Sequence, residues 1–152
     1  MTRARLIVLA AGGSAALLAG AYLFQLSGLA PCKLCIWQRW PHLAAILIGA
    51  SALAVPGRVL PALGAVAALA TSGIGVYHTG VERGWWVGPS TCTSGPIAGQ
   101  SAEDLLNHIL NAPLVRCDEV AWSLMGLSMA SWNAVLSLAL AVIWVAAARK
   151  AR

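Results

Sequence analysis

The chain has 152 residues, 59% of them hydrophobic and only 10% charged, and its mean hydropathy is +0.76. A soluble domain carries about 25% charged residues, so this sequence cannot cover a water-facing surface, and its apolar residues come in blocks suited to lipid. The net charge of +5 does not point to nucleic acid, because Arg3, Arg5, Arg58, Arg149, Lys150 and Arg152 stand at the ends of apolar blocks and form no patch. That is how membrane topology signals are distributed.

The first block covers residues 6–30, broken only by Ser14, Gln25 and Ser27. It is long enough to cross a hydrocarbon core of ~30 Å as a helix. A cleaved leader is the competing reading, with Arg3 and Arg5 as its basic start and Ala19-Gly20-Ala21 as the cleavage site. The apolar run continues past that site, which favours a span. A second block covers 36–55, and Pro56-Gly57-Arg58 then makes a very short turn into a third block at 59–77. Helices joined so tightly are antiparallel neighbours. The fourth block, 132–148, ends in Arg149-Lys150-Ala151-Arg152.

Between the third and fourth blocks, residues 78–131 hold all five acidic side chains: Glu82, Glu103, Asp104, Asp118 and Glu119. Ser101-Ala102-Glu103-Asp104 before Leu105-Leu106 reads as a capping box opening a short helix. Its stripe of Leu105, Leu106, Ile109 and Leu110 suits the membrane surface; packing on other loop residues is the alternative. The expected fold is therefore all-α. One membrane domain over 1–152 forms a four-helix transmembrane bundle, with outer loops at 31–35 and 78–131. Four spans put both termini on one side. The basic residues there mark it as cytoplasmic, against Lys33, Arg39, Arg83 and Arg116 on the other. All four cysteines then face the outer, oxidising side, where disulfides persist.

Cys32-Lys33-Leu34-Cys35 is a C-x-x-C motif, the spacing of an exchangeable disulfide in thiol oxidoreductases and also of half a zinc site. Cys35 lies at the start of the second helix, where the macrodipole favours an anion. Arg39 follows by four residues and shares its helix face. Both lower a thiol pKa; alternatively, Arg39 only snorkels to the interface. Lys33, inside the motif, adds another charge. Pro41 removes the hydrogen bond to the Trp37 carbonyl. It either kinks the helix and opens a pocket, or marks the point where the helix really begins. Trp37 and Trp40 suit an interfacial aromatic belt.

Cys92 and Cys117 are 25 positions apart. A bridge between them is either a static staple or a second redox pair, and Gly88-Pro89-Ser90-Thr91 makes Cys92 look flexible and exposed. Four thiolates also suit a metal. The close spacing occurs once, however, and the other two cysteines are far apart, so no metal is expected. Of the histidines His42, His78 and His108, His78 ends the third block at the depth of Arg39. It faces the same interfacial pocket or simply terminates the helix.

Taken together, these residues resemble the bacterial disulfide bond formation protein B (DsbB) family over essentially the whole chain. Pro31-Cys32-Lys33-Leu34-Cys35-Ile36-Trp37-Gln38-Arg39 is similar to its first cysteine motif, and His78-Thr79 followed by Cys92 to the start of its second loop. Cys117, then Trp122 and Met125-Gly126-Leu127-Ser128-Met129, is similar to the stretch leading into its last helix. The resemblance implies a quinone-dependent thiol oxidase of the bacterial inner membrane, with its cysteines in the periplasm. Cys92 is then attacked by a soluble thioredoxin-like oxidase (DsbA), with Cys117 as its redox partner. Cys32 and Cys35 take the electrons, Cys35 faces ubiquinone (or menaquinone) as a thiolate, and Arg39 holds the quinone with His78 nearby. Three other readings stand beside it. A carrier passing electrons inward lacks cysteines within the spans. A scaffold with two inert disulfides and a metal-binding membrane protein are the others.

Overall fold

A computed structural model describes residues 1–90, 92, 101, 103, 106, 107, 110 and 115–150. Among these, four long helices dominate: α1 (Arg3–Leu26), α2 (Lys33–Ala54), α3 (Val59–Glu82) and α4 (Met129–Lys150). Three of them, α1, α3 and α4, are long and apolar enough to cross a membrane. α2 matches α4 in length at 22 residues, but Lys33, Gln38, Arg39 and His42 dilute its first half. That polar half builds the site described below.

α1 lies against α2 and α4, and α3 lies against the same two, while α1 and α3 face each other across the diagonal. Small residues let the helices approach. Trp144 of α4 is fully buried, and a Cβ added at Gly64 of α3 would stand 2.6 Å from its ring. Leu6, Ile7, Ala10, Ala52, Ala65 and Leu140 complete this part of the core. Val8, Leu47, Leu53, Val66, Leu69 and Val142 point outward and are exposed. So many large apolar side chains on the outside of a helical bundle fit a lipid surround.

The helix ends follow stop signals rather than hydropathy. α1 stops at Leu26, short of residue 30, because Gly28 adopts φ +98° and closes the helix. The amides of Gly28 and Leu29 bond back to Gln25 and Phe24 at 3.1 Å each, as in a Schellman motif. α3 runs past residue 77 to Glu82, until Gly84 at φ +69° repeats the device with Trp85 bonded to the Gly80 carbonyl at 2.8 Å. His78 therefore lies inside a helix, not at its end. Pro41 likewise lies inside α2, so that helix begins well before it.

A small antiparallel hairpin precedes α4 and departs from the all-α expectation. β1 (Ser123–Leu124) pairs with β2 (Leu127–Ser128). Met125 and Gly126, at φ 54° and 77°, form the turn, a conformation that matches the twist of paired strands. At the far end of the bundle, the Arg3 guanidinium donates to the carbonyls of Val55 at 3.0 Å and Gly57 at 3.3 Å. This ties the start of α1 to the α2–α3 turn and leaves the cysteines at the opposite end. The capping-box helix after Ser101, and His108, fall largely or wholly outside the described residues.

Candidate active site

Cys32 caps the N-terminus of α2. Its extended backbone aims the sulfur back at the first turn, where Sγ accepts the Cys35 amide at 3.3 Å. A C-x-x-C at a helix start thus brings its second cysteine to the first by capping. The two thiols are free, and Cys32 Sγ donates to Cys35 Sγ at 3.0 Å. Cys35 stands ahead of the apolar stretch that begins at residue 36. Its thiol is lowered to about 7, first by that hydrogen bond, with burial opposing and Arg39 helping last. Cys32 is raised by the same bond and then by burial. One proton is shared unequally, so Cys35 is the thiolate and Cys32 the thiol. Arg39 is a minor influence here, and Lys33 turns away to lie 5.8 Å from the Trp37 ring.

A buried polar chain begins beside this pair. Gln38 Nε2 donates to the Leu34 carbonyl at 3.2 Å and to His78 Nδ1 at 3.0 Å. The Leu34 carbonyl can only accept, which fixes the orientation of the Gln38 amide. His78 Nδ1 is therefore an acceptor, and its proton sits on Nε2. That proton faces Cys32 Sγ at 3.5 Å, with Glu82 Oε1 at 3.9 Å and the Cys117 backbone against the same ring. On the other side, Gln38 Oε1 accepts from Asn133 Nδ2 at 2.7 Å, and Asn133 Nδ2 also reaches Thr71 Oγ1 at 3.0 Å. Asn133 Oδ1 then accepts from His42 Nε2 at 2.8 Å and from Ser137 at 3.3 Å. One backbone carbonyl thus sets the tautomers of two histidines on different helices.

Cys35, Gln38, Arg39 and His42 lie at spacings of three, four and seven, and so share one helix face. All four line a cavity of about 450 Å³, whose other walls include Leu17, Gly20, Ala21 and Phe24 of α1 and Trp132, Asn133 and Leu136 of α4. That volume falls within the usual range for small-molecule sites. Arg39 is held by Gln25 Oε1 at 2.7 Å and by the Tyr22 ring, 4.7 Å from its guanidinium carbon. Its Nε, and Nδ1 of His42, are buried without a hydrogen-bond partner among the described residues. The segment from Val115 to Leu124 covers this end, with Trp122 against Phe24 at 5.1 Å.

Cys92 and Cys117 are joined by a disulfide. Both are buried, at 1% and 0% exposure, in one cluster with Cys32, Leu34 and Val81. The exposure expected for Cys92 from its flanking sequence is therefore corrected. Its amide is turned inward by a bond to the Pro89 carbonyl at 2.9 Å, and its carbonyl accepts the Cys117 amide at 2.6 Å.

Among the described residues, the structure brings the four cysteines, Arg39, His42 and His78 to one end of the bundle. Cys32, Cys35 and His78 meet directly, and Cys92 and Cys117 pack against Cys32. Arg39 joins them across the cavity wall and touches neither sulfur pair. Sequence reading did not single out Thr71 or Asn133, took Gln38 only as part of the first cysteine motif, and named Glu82 only among the acids of the outer segment. The one available signal was a run of polar residues inside otherwise apolar blocks. The donor atoms of Cys32, Cys35 and His78 lie within 4.8 Å of one another. That spacing is short enough for a soft ion, but the histidine presents a proton there, not a lone pair.

Residues 3–147 match the protein family described as "Disulfide bond formation protein DsbB". A disulfide bond formation protein B of Verminephrobacter eiseniae is 34% identical, over 99% of this chain and 91% of that protein. Another from Albidiferax ferrireducens is 30% identical over 86% and 81%. Disulfide bond formation protein B 2 of Pseudomonas aeruginosa is 33% identical over 76% and 72%. No solved structure matches the chain.

Proposed function

The chain belongs to the family of disulfide bond formation protein DsbB, and from that premise we propose that it is a quinone-dependent thiol oxidase. In this reading it reoxidises a periplasmic thioredoxin-fold oxidase of the DsbA type. The observation that carries the reading is the meeting of two cysteine pairs in one buried cluster, with an apolar cavity against Cys35.

Electrons enter at Cys92. A thiolate of the reduced partner attacks Cys92 Sγ, and Cys117 leaves as a thiolate. The partner's second thiolate breaks the mixed disulfide, and the partner departs oxidised. Cys117 then attacks Cys32 in a Cys32–Cys35 bridge, releasing Cys35 as the thiolate its surroundings favour. Cys92 attacks Cys117 of the Cys32–Cys117 bond, which restores Cys92–Cys117 and expels Cys32, which takes a proton from water to become a thiol. Bridged Cys92–Cys117 beside free Cys32 and Cys35 is the state reached at this point. His78 supports these exchanges by presenting its Nε2 proton to Cys32 at 3.5 Å, next to Cys117.

The cavity suits a quinone. It is apolar along α1, and Arg39 Nε and His42 Nδ1, two of the buried nitrogens without a partner among the described residues, belong to residues that line it. A bound ubiquinone or menaquinone would supply the two-electron sink, and the Cys32 proton together with one proton from water would complete the quinol. Cys32 and Cys35 close their S–S bond in the same step, while Arg39 orients the ring. The basic ends of the helices support cytoplasmic termini, which leaves the cysteines on the periplasmic face of the inner membrane.

The test is stopped-flow absorbance on purified protein with a ubiquinone analogue and a reduced thioredoxin-fold partner. Partner-dependent quinone reduction, abolished by Cys35→Ser, is expected. Quinone reduction that survives Cys35→Ser would overturn the electron order. Its absence from the unaltered protein, with all four cysteines inert, would leave a disulfide-stapled scaffold.

A further inference from the structure

The oxidase chemistry moves two protons as well as two electrons, and the mechanism above gives His42 no part in moving them. His42 is 3% exposed, lies two helical turns below Cys35 on the same face of α2, and lines the cavity. Seven residues of helix place it about 10 Å along the axis from Cys35. That span suits one para-dicarbonyl ring and its polar contacts. The ring of His42 is not free to turn. Asn133 Oδ1 holds Nε2 at 2.8 Å, and Asn133 is itself oriented by Gln38 Oε1 and the Thr71 hydroxyl. Thr71 gives its hydrogen to the Gln38 carbonyl at 3.0 Å, so its lone pair faces Asn133 and requires Nδ2 there. Two independent routes, through Leu34 and through Thr71, thus leave the Nδ1 lone pair of His42 bare.

We propose that His42 is the group that handles a proton at the quinone oxygen remote from Cys35, with Asn133 as its positioning residue. The proposal rests on the quinone reading. Nδ1 accepts the O–H of bound quinol; once protonated, it donates to the quinone carbonyl. The balance is closed: the electron pair of Cys32 and Cys35, the Cys32 proton and a second proton that His42 takes from water and passes on end in two O–H bonds, and His42 is neutral before and after. A bare lone pair also predicts selectivity. Quinol, a donor, is held here, and quinone, an acceptor, is not.

The experiment measures equilibrium binding of a short-chain ubiquinone analogue and of its quinol to the purified full chain. Quenching of tryptophan fluorescence reports it, since Trp122 and Trp132 line the cavity. A Cys35→Ser background stops turnover. His42→Leu is expected to weaken quinol about tenfold and to leave quinone within about twofold, the loss of one hydrogen bond. His42→Gln keeps the bond to Asn133 and supplies an acceptor oxygen. It is expected to hold quinol nearly normally but, with Cys35 restored, to reduce quinone about tenfold more slowly, because an amide carries no proton at this step. Normal quinol binding by His42→Leu, equal loss of both ligands, or full-speed reduction by His42→Gln would overturn the assignment. If the Cys35→Ser chain with His42 intact binds neither ligand, the quinone reading fails, and the role of His42 falls with it.

Discussion

Gln38 reaches back one helical turn to the Leu34 carbonyl at 3.2 Å, and this bond orients everything the amide touches. It turns the His78 proton toward Cys32 and, through Asn133, the His42 proton away from the cavity. Gln38→Leu removes the common anchor. Buried polar groups on α3 and α4 lose their partner, at about 1–2 kcal/mol for bonds of this kind between membrane helices. The expected result is a lower thermal midpoint and slower transfer of electrons from the Cys92–Cys117 pair to the Cys32–Cys35 pair. Rapid thiol trapping after mixing with a reduced partner measures that transfer. A variant with normal stability and normal transfer would show that the tautomers are held by other means.

Cys35 is expected to react as a thiolate from about pH 7 upward. Its pKa is depressed, so the charged form is present above that value and is lost as pH falls through it. The first cause is the hydrogen bond from Cys32. Cys32→Ala should therefore move the alkylation profile of Cys35 upward, toward the ordinary thiol value. Arg39→Ala should move it much less, since Arg39 is the last of the contributions. If the arginine variant shifts the profile more than Cys32→Ala does, the helix-start and guanidinium account read from the sequence is the better one.

That contrast shows where the sequence was legible. Apolar block lengths gave the helix count and order, and the C-x-x-C with Arg39 marked the end of α2 that lines the candidate site, because both are local patterns. Helix ends were misjudged where hydropathy and stop signals disagree. Gly28 ends α1 while the chain is still apolar, and α3 carries polar His78, Thr79 and Glu82 before Gly84 ends it. Asn133 was not legible at all. It stands 91 positions from His42 and 95 from Gln38, and only the packing of both α2 and α4 on α3 brings them together. The burial of Cys92 was missed for a similar reason, since Leu34 and Val81, which pack around it, come from other elements.

The Cys92–Cys117 bridge is expected to stabilise the structure as well as carry electrons. Closing a loop over 25 positions is worth about 3–4 kcal/mol in the chain-entropy account. Both sulfurs are buried, so a partner thiol cannot reach Cys92 without local opening. Cys117→Ser should lower the thermal midpoint and stop partner-driven turnover. It should also make Cys92 accessible to alkylation in the intact protein. If Cys92 remains unreactive in that variant, the segment stays closed by packing alone, and the partner must do the opening.

Arg39 is clamped by Gln25 on one side and the Tyr22 ring on the other, and both lie on α1. Such a hold fixes the planar guanidinium while leaving Nε without a partner. Two consequences follow for quinone reduction. On the proposed reading Arg39→Ala removes the group that orients the ring, so KM for a quinone analogue should rise about tenfold, with a smaller fall in kcat. Arg39→Lys should restore little of this, because an ammonium neither lies flat on Tyr22 nor offers donors in a fixed plane. Gln25→Ala leaves the charge in place and frees its direction. It should raise KM by less than the loss of Arg39 does, and the two changes combined should be no worse than Arg39→Ala alone. Additive effects in that double variant would mean that Gln25 meets the quinone directly, and that the clamp is itself part of the binding surface.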